Sequence, residues 1–243
     1  MENIYQSWIC NIPIAHRGLH GNGVPENSLL AYEKAIEKGY AIEIDVRPLS
    51  DGKIVSFHDD NLDRLTQMTG AISEKTYDQI KGLSLLGTNE KIPTLKEVLD
   101  LVEGKVPLLI EIKNQGKVGF EQDVYNELKE YKGQFAVQSF NPLSLGWFKK
   151  NAPKVPRGQL SSFFEKDNLS VFKKFVLKRL LLNCISKPNF ISYDCSAIPN
   201  KYIRGCKKKG LPIVAWCIRS QKEYEKIKDD CDNIIFENFE PKK

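Results

Sequence analysis

Residues 12–46 read IPIAHRGLHGNGVPENSLLAYEKAIEKGYAIEIDV. A short apolar run, IPIA at 12–15, precedes a stretch with helical spacing. In that stretch Leu29, Leu30, Ala31, Ala35 and Ile36 share one face, Asn27 stands at the cap position and Gly39 at the stop. A second apolar run, YAIEIDV at 40–46, follows. Strand, helix, strand is the unit of a parallel sheet, because parallel neighbours need a crossover and the helix provides it.

The unit repeats along the chain. PLLIEIK (107–113) leads into a helix over 117–131, FAVQSF (135–140) into 142–150, and RGQL (157–160) into 165–182. FISYD (190–194) leads into 199–209, LPIVAWCI (211–218) into 220–228, and NIIFE (233–237) closes the series. That makes eight strands, the number that closes a (β/α)8 TIM barrel. No Gly-x-Gly-x-x-Gly follows the first strand, so little favours an open dinucleotide-binding sheet. The reading is α/β, one domain over residues 1–243. Residues 47–93 break the rhythm: they exceed an ordinary βα loop and read as a small inserted subdomain after the second strand. The insertion starts with a hairpin signal at Asp51-Gly52.

A chain of 243 residues with 41% hydrophobic and 28% charged residues has enough of both to bury one core and stay soluble. The net charge of +5 suits an anionic ligand. The basic residues are scattered rather than interleaved with aromatics in a stripe, which argues against nucleic acid. The N-terminus shows no signal-peptide pattern. The apolar run FVLKRLLLNCI (175–185) is interrupted by Lys178 and Arg179 and is too short to span a bilayer. No membrane insertion and a cytoplasmic location are therefore expected, with 165–182 as a helix coating the barrel. Six cysteines without a Cys-x-x-Cys pair predict reduced thiols rather than disulfides.

Charged residues on apolar strands mark the candidate site. Glu43 and Asp45 are two apart on the second strand, so both point to one face; Glu111 and Lys113 repeat the spacing on LLIEIK. A turn about Asp51 and Gly52 brings His58 back across from Asp45. His16 and Arg17 directly follow the first strand, on the rim where barrels keep their active sites. Three carboxylates suit a hard divalent cation, Ca²⁺ or Mg²⁺, better than zinc. Two imidazoles suit a general acid and a general base, while arginine and lysine suit phosphate oxygens. Together they predict metal-assisted phosphoester cleavage. Taken singly, Glu43 with Arg47, or Glu111 with Lys113, reads equally as a rim salt bridge. Asn27 reads as a cap rather than a ligand, His20 as a loop residue without a role, and Trp216 as core or substrate platform.

The motifs AHRG, PENS, GYAIEIDVRPLSDGKIVSFHD, IPTLKEVL, LLIEIK, QSF and VAW occur in this order over nearly the whole chain. In them the sequence resembles the glycerophosphodiester phosphodiesterase family, whose barrels are like those of the phosphoinositide phospholipases C. The resemblance implies a (β/α)8 barrel with a small insertion after strand two and a divalent metal held by Glu43, Asp45 and Glu111. It also implies His16 and His58 as the acid-base pair, Arg17 and Lys113 at the substrate phosphate, and Trp216 near the substrate. The expected substrate is a small glycerophosphodiester, cleaved to sn-glycerol 3-phosphate and an alcohol. Departures fall at the rim: the family's terminal Thr-Asp is Phe236-Glu237 here, and Cys217 and Arg219 replace the Thr and Asn that follow the tryptophan. The alternatives are a lysophospholipase D acting on longer lipids, with the basic apolar stretch 173–182 touching a membrane, and an inactive phosphodiester-binding barrel. An inactive binder has no need of two histidines and three carboxylates.

Overall fold

The computed structural model describes residues 3–114 and 116–242. Among them the strands are β1 (Ile14–Ala15), β2 (Ala41–Pro48), β3 (Ile54–Ser56), β4 (Leu108–Ile112), β5 (Phe135–Ser139), β6 (Arg157–Ser161), β7 (Phe190–Asp194), β8 (Ile213–Ile218) and β9 (Asn233–Phe236). Their sheet order is β1-β9-β8-β7-β6-β5-β4-β2-β3, with β1 also paired to β2. This is a (β/α)8 TIM barrel built from the eight expected strands. The ninth, β3, is the second arm of the expected hairpin, antiparallel to β2. The chain divides into two compact units, residues 15–135 and the remainder.

In the 15–135 unit, α1 (Leu29–Lys38) starts one residue later than its spacing suggests. Ser28 is the cap, its Oγ accepting from Ala31 N at 3.2 Å. Asn27 is unsuited to the task because its backbone is left-handed at φ 53° and its amide is engaged elsewhere. Gly39, at φ 70°, ends the helix as expected. β2 is buried at all eight positions. A strand covered on both faces is normally apolar throughout, so two acids on it need compensating partners. β4 lies parallel to β2, with Asp45 opposite Glu111.

Thr94 and Glu97 form a capping box that starts α2 (Leu95–Val102), which buries Leu95, Val98, Leu99 and Val102. Each fully buried side chain of this kind contributes about 1.5–3 kcal/mol. α3 (Phe120–Leu128) is shorter than the 117–131 expected. Between β2 and α2 the insertion has its own core, in which Leu49, Val55, Phe57, Leu62, Leu65, Ile72, Ile80, Leu85 and Ile92 pack together.

In the other unit, β5 to β9 pair in parallel in chain order. Gly158 on β6 has no alternative, because a Cβ there would collide with the Phe190 ring of β7. Asn233 Nδ2 donates to Ile9 O (2.8 Å) and Ile12 O (2.7 Å), tying the N-terminal segment to β9. The unit's longer helices are α4 (Pro142–Asn151), α5 (Val171–Lys178), α6 (Lys201–Lys207) and α7 (Gln221–Ile227), beside the short helical turns Trp8–Asn11 and Asn183–Ser186. α5 corrects the expected helix over 165–182: Ser170 caps it at Lys173 N, and Leu180, left-handed at φ 57°, marks its end. α5 lies on the barrel with one side half-buried, at Val176 and Leu177 among others, but none of its residues is fully buried. All six cysteines are free thiols. Among the described residues no helix is long and apolar enough to cross a membrane.

Candidate active site

Period-two alternation and the β2–β4 register bring Glu43, Asp45 and Glu111 together. A carboxylate oxygen of each lies within 4.8 Å of the others, and all three residues are buried. Burial, with Asp45 and Glu111 beside it, pushes the Glu43 carboxyl well above the usual carboxylate range. Burial also pushes Glu111 up, against the pull of Lys113. Asp45 goes the other way. Burial would raise it too, but Lys113 and Arg17, followed by His58 and His16, outweigh that penalty and hold it below its ordinary value.

Two cations hold the cluster. Lys113 Nζ donates to Glu111 Oε1 at 2.7 Å and stands 3.2 Å from Asp45 Oδ1. Arg17 has a left-handed backbone (φ 54°) and donates its N–H to Glu43 Oε2 at 3.0 Å. Its guanidinium reaches Glu26 Oε1 at 2.6 Å and Asp45 Oδ2 at 3.3 Å. Glycine is required next to it: at Gly18, φ 80°, a Cβ would lie 2.8 Å from the Cβ of Ala31.

Asp45 Oδ1 is buried and accepts no hydrogen bond among the described residues. An oxygen with no hydrogen bond, met only by the Lys113 ion pair at 3.2 Å and set in a cluster of hard oxygen donors, fits a divalent cation of the Mg²⁺ or Ca²⁺ kind. The other oxygen, Oδ2, accepts from Asn27 Nδ2 at 2.8 Å. Asn27 Oδ1 in turn accepts from Tyr32 Oη (2.9 Å) and Ser56 Oγ (3.1 Å), which fixes both the amide and the carboxylate it faces.

The hairpin places Phe57, whose N–H donates to Asp45 O at 3.1 Å, across from Asp45; His58 is one residue further on. Arg47 does not pair with Glu43. It donates to His58 O from Nε (2.8 Å) and Nη2 (2.5 Å) and meets Asp60 Oδ1 at 2.6 Å. The alternative pairing of Glu111 with Lys113 does form, as part of the cluster rather than apart from it.

His58 Nδ1 lies 2.6 Å from Asp59 Oδ1. Burial would raise Asp59, but Arg64 and then His58 pull it down to about 2. An ionised carboxylate only accepts, so Nδ1 carries the proton and Nε2 keeps its lone pair. Burial, aided by Lys113 and Arg17 and opposed by Asp45, lowers His58 to about 4, leaving it neutral near pH 7. Arg64 forks twice: Nε and Nη2 onto Asp59 (2.5 and 3.1 Å), Nη1 and Nη2 onto Glu26 (2.8 and 2.6 Å). A continuous polar chain thus runs Arg17–Glu26–Arg64–Asp59–His58, and His58, Asp59 and Arg64 line an open groove of about 500 Å³. A larger cavity, about 760 Å³ and lined by Lys53, Thr94, Lys96, Glu127 and Tyr131 among others, contains none of these groups.

His16 directly follows β1, half-buried, its ring centroid 6.4 Å from that of His20 and within electrostatic reach of Asp45. Trp216 stands on β8 in the other unit, where its ring meets the edge of Phe140 at 5.6 Å. Sequence reasoning read Asn27 as a cap, and Glu26, Asp59 and Arg64 received no role. The first two lie in the quoted PENS and Asp59 adjoins His58, whereas nothing local marks Arg64.

Known proteins supply the comparison. The model of the Glycerophosphoryl diester phosphodiesterase family matches residues 16–239. The chain is 33% identical to the glycerophosphodiester phosphodiesterase of Caldanaerobacter subterraneus subsp. tengcongensis, over 93% of this chain and 94% of that one. It is also similar to an Oleispira antarctica phosphodiesterase solved in complex with its product sn-glycerol-3-phosphate: TM-score 0.76, 26% identity, 93% of each chain. The glycerophosphodiester phosphodiesterase of Thermotoga maritima superposes with TM-score 0.72 at 28% identity, over 93% of this chain and 94% of that one.

Proposed function

Because this chain belongs to the glycerophosphoryl diester phosphodiesterase family, we propose that it hydrolyses small glycerophosphodiesters to sn-glycerol 3-phosphate and an alcohol, with a divalent cation at Glu43, Asp45 and Glu111. The observation that carries the reading is the buried trio of carboxylates, with one oxygen that accepts no hydrogen bond, set against two fixed cations and an imidazole whose Nδ1 faces a carboxylate. In this reading the whole chain is one catalytic domain and residues 47–93 are an insertion that contributes His58.

A divalent cation held by Glu43, Asp45 and Glu111 would supply positive charge against the negative charge of the phosphate. Arg17 and Lys113 supply further positive charge for the phosphoryl oxygens, with no reorganisation at the moment of reaction because their partners already hold them. His58, neutral and with a free lone pair on Nε2, takes the proton from the attacking oxygen. His16, at the end of β1, gives a proton to the departing alcohol. Trp216 is assigned to the substrate's other end on the family resemblance alone.

The test is release of glycerol 3-phosphate from glycerophosphocholine by metal-stripped protein with Mg²⁺ or Ca²⁺ restored, alongside His16→Ala and Glu43→Ala. Turnover that needs added metal and is lost in both variants is the expected result. No turnover by folded protein with any head group or metal would overturn the reading.

A further inference from the structure

Among the described α-helices, α5 is the one with no fully buried residue. α1 buries Ala31, Tyr32 and Ala35, and α2 buries four residues, whereas Val171–Lys178 buries none. Its fastenings are polar and sit at its C-terminal end: Ser161 Oγ donates to Leu177 O at 3.0 Å and Tyr193 Oη to Lys178 O at 2.9 Å. Anchored in this way, it turns apolar side chains to solvent. Val171 is 85% exposed, Phe172 75% and Phe175 41%. At about 100° per residue these three fall within one arc of the helix; Leu181 and Ile185, further along the chain, are exposed as well. Of ten exposed large hydrophobic side chains among the described residues, five lie between 171 and 185. That is a patch and not scatter.

Within this stretch of chain the charged side chains share one sign. Between Asp167 and Asp194 the chain has no acidic residue and five basic ones, Lys173, Lys174, Lys178, Arg179 and Lys187, which equals its whole formal net charge of +5. The Arg179 guanidinium lies 3.5 Å from the centroid of the Phe175 ring, so a cation sits on the exposed apolar face itself. The apolar centre of a protein–protein contact is depleted of charge, and lysines at every turn are ill suited to it. Aromatic rings beside lysines match the boundary of a bilayer, where acyl chains meet anionic phosphates.

We propose that Val171–Arg179 is a peripheral docking surface for anionic lipid bilayers, with Phe172 and Phe175 entering the acyl boundary and Lys173, Lys174, Lys178 and Arg179 meeting the headgroup phosphates. The test is flotation of the full chain with vesicles of one-third phosphatidylglycerol in phosphatidylcholine, against phosphatidylcholine alone, at about 0.15 M ionic strength. The anionic vesicles should bind at least about tenfold more strongly. Phe172→Ser with Phe175→Ser should lower that binding about tenfold, and Lys173→Glu with Lys174→Glu should weaken it and flatten its salt dependence. Phe172, Lys173 and Phe175 are exposed and Lys174 is only partly buried, so circular dichroism melts should match the parent chain. Absence of co-flotation at this ionic strength, or equal binding by the double serine variant, would overturn the proposal. So would a concentration-dependent dimer, abolished by Phe172→Ser, in a chain that ignores vesicles: the face would then serve a second copy.

Discussion

His58 Nδ1 and Asp59 Oδ1 stand 2.6 Å apart, and the carboxylate side of that pair is held ionised. In Asp59→Asn the partner both donates and accepts, so the imidazole is no longer confined to the tautomer with a basic Nε2. We expect kcat on glycerophosphocholine to fall about 10- to 100-fold with little change in KM. A kcat within twofold of the parent would remove Asp59 from the positioning of His58.

Arg64 joins Asp59 to Glu26 by two forked contacts that only a planar guanidinium makes. Arg64→Lys keeps the charge and loses the fork, so it should behave like Arg64→Ala, each lowering kcat about tenfold. Rescue by lysine would mean that charge alone matters there. Steady-state kinetics on the two variants decides it.

Metal affinity should depend on pH in one direction. Glu43 is raised by burial and by its neighbours, so below its raised pKa it holds a proton that a cation must displace. Binding therefore tightens as pH rises through and above the ordinary carboxylate range, and it releases protons. Calorimetry with Mg²⁺ in buffers of different ionisation enthalpy measures that release; zero protons over the whole range would contradict the assignment of Glu43 as a ligand.

Asn27→Ala removes the donor to Asp45 Oδ2 and the acceptor shared by Tyr32 and Ser56, which keep only each other, at 2.6 Å, in a buried network. The expected cost is about 2 kcal/mol in urea unfolding, with metal affinity reduced about tenfold. Stability lost without any change in metal affinity would confine Asn27 to holding α1 against the hairpin.

Gly18→Ala introduces both a strained φ and a contact with Ala31. Destabilisation of about 1–3 kcal/mol is expected, together with reduced turnover because Arg17 is adjacent. A thermal melt unchanged from the parent would show that the loop shifts freely.

Much of this site could be read from strand period. Glu43, Asp45 and Glu111 are aligned by alternation and by a parallel register that pairs Asp45 with Glu111. The hairpin at Asp51-Gly52 brought His58 back to within one residue of its place, because the turn fixes the register and Phe57 takes the position opposite Asp45. What stayed hidden depends on side chains reaching across non-periodic segments. Asn27 resembled a cap because Ser28 beside it is one, and only its left-handed backbone separates the two roles. Arg64 lies in a loop with no pattern, and its partners are identified only by where its guanidinium ends. The expected helix over 165–182 was too long because apolar spacing alone does not reveal Ser170 as a cap or Leu180 as a stop.

The insertion's separate core gives the protein a fault line. Nine buried side chains from Leu49 to Ile92 pack into one cluster, and His58, Asp59 and Arg64 are carried on that same piece. Such a piece opens as a cooperative foldon at a lower free energy than the sheet it is attached to. On heating, inactivation should therefore precede the loss of strand signal, and amides of the insertion should exchange with solvent deuterium sooner than those of β2 and β4. Opening would separate the imidazole from the carboxylates while Glu43, Asp45 and Glu111 stay assembled, so the warmed protein would keep its grip on metal after it has stopped turning over.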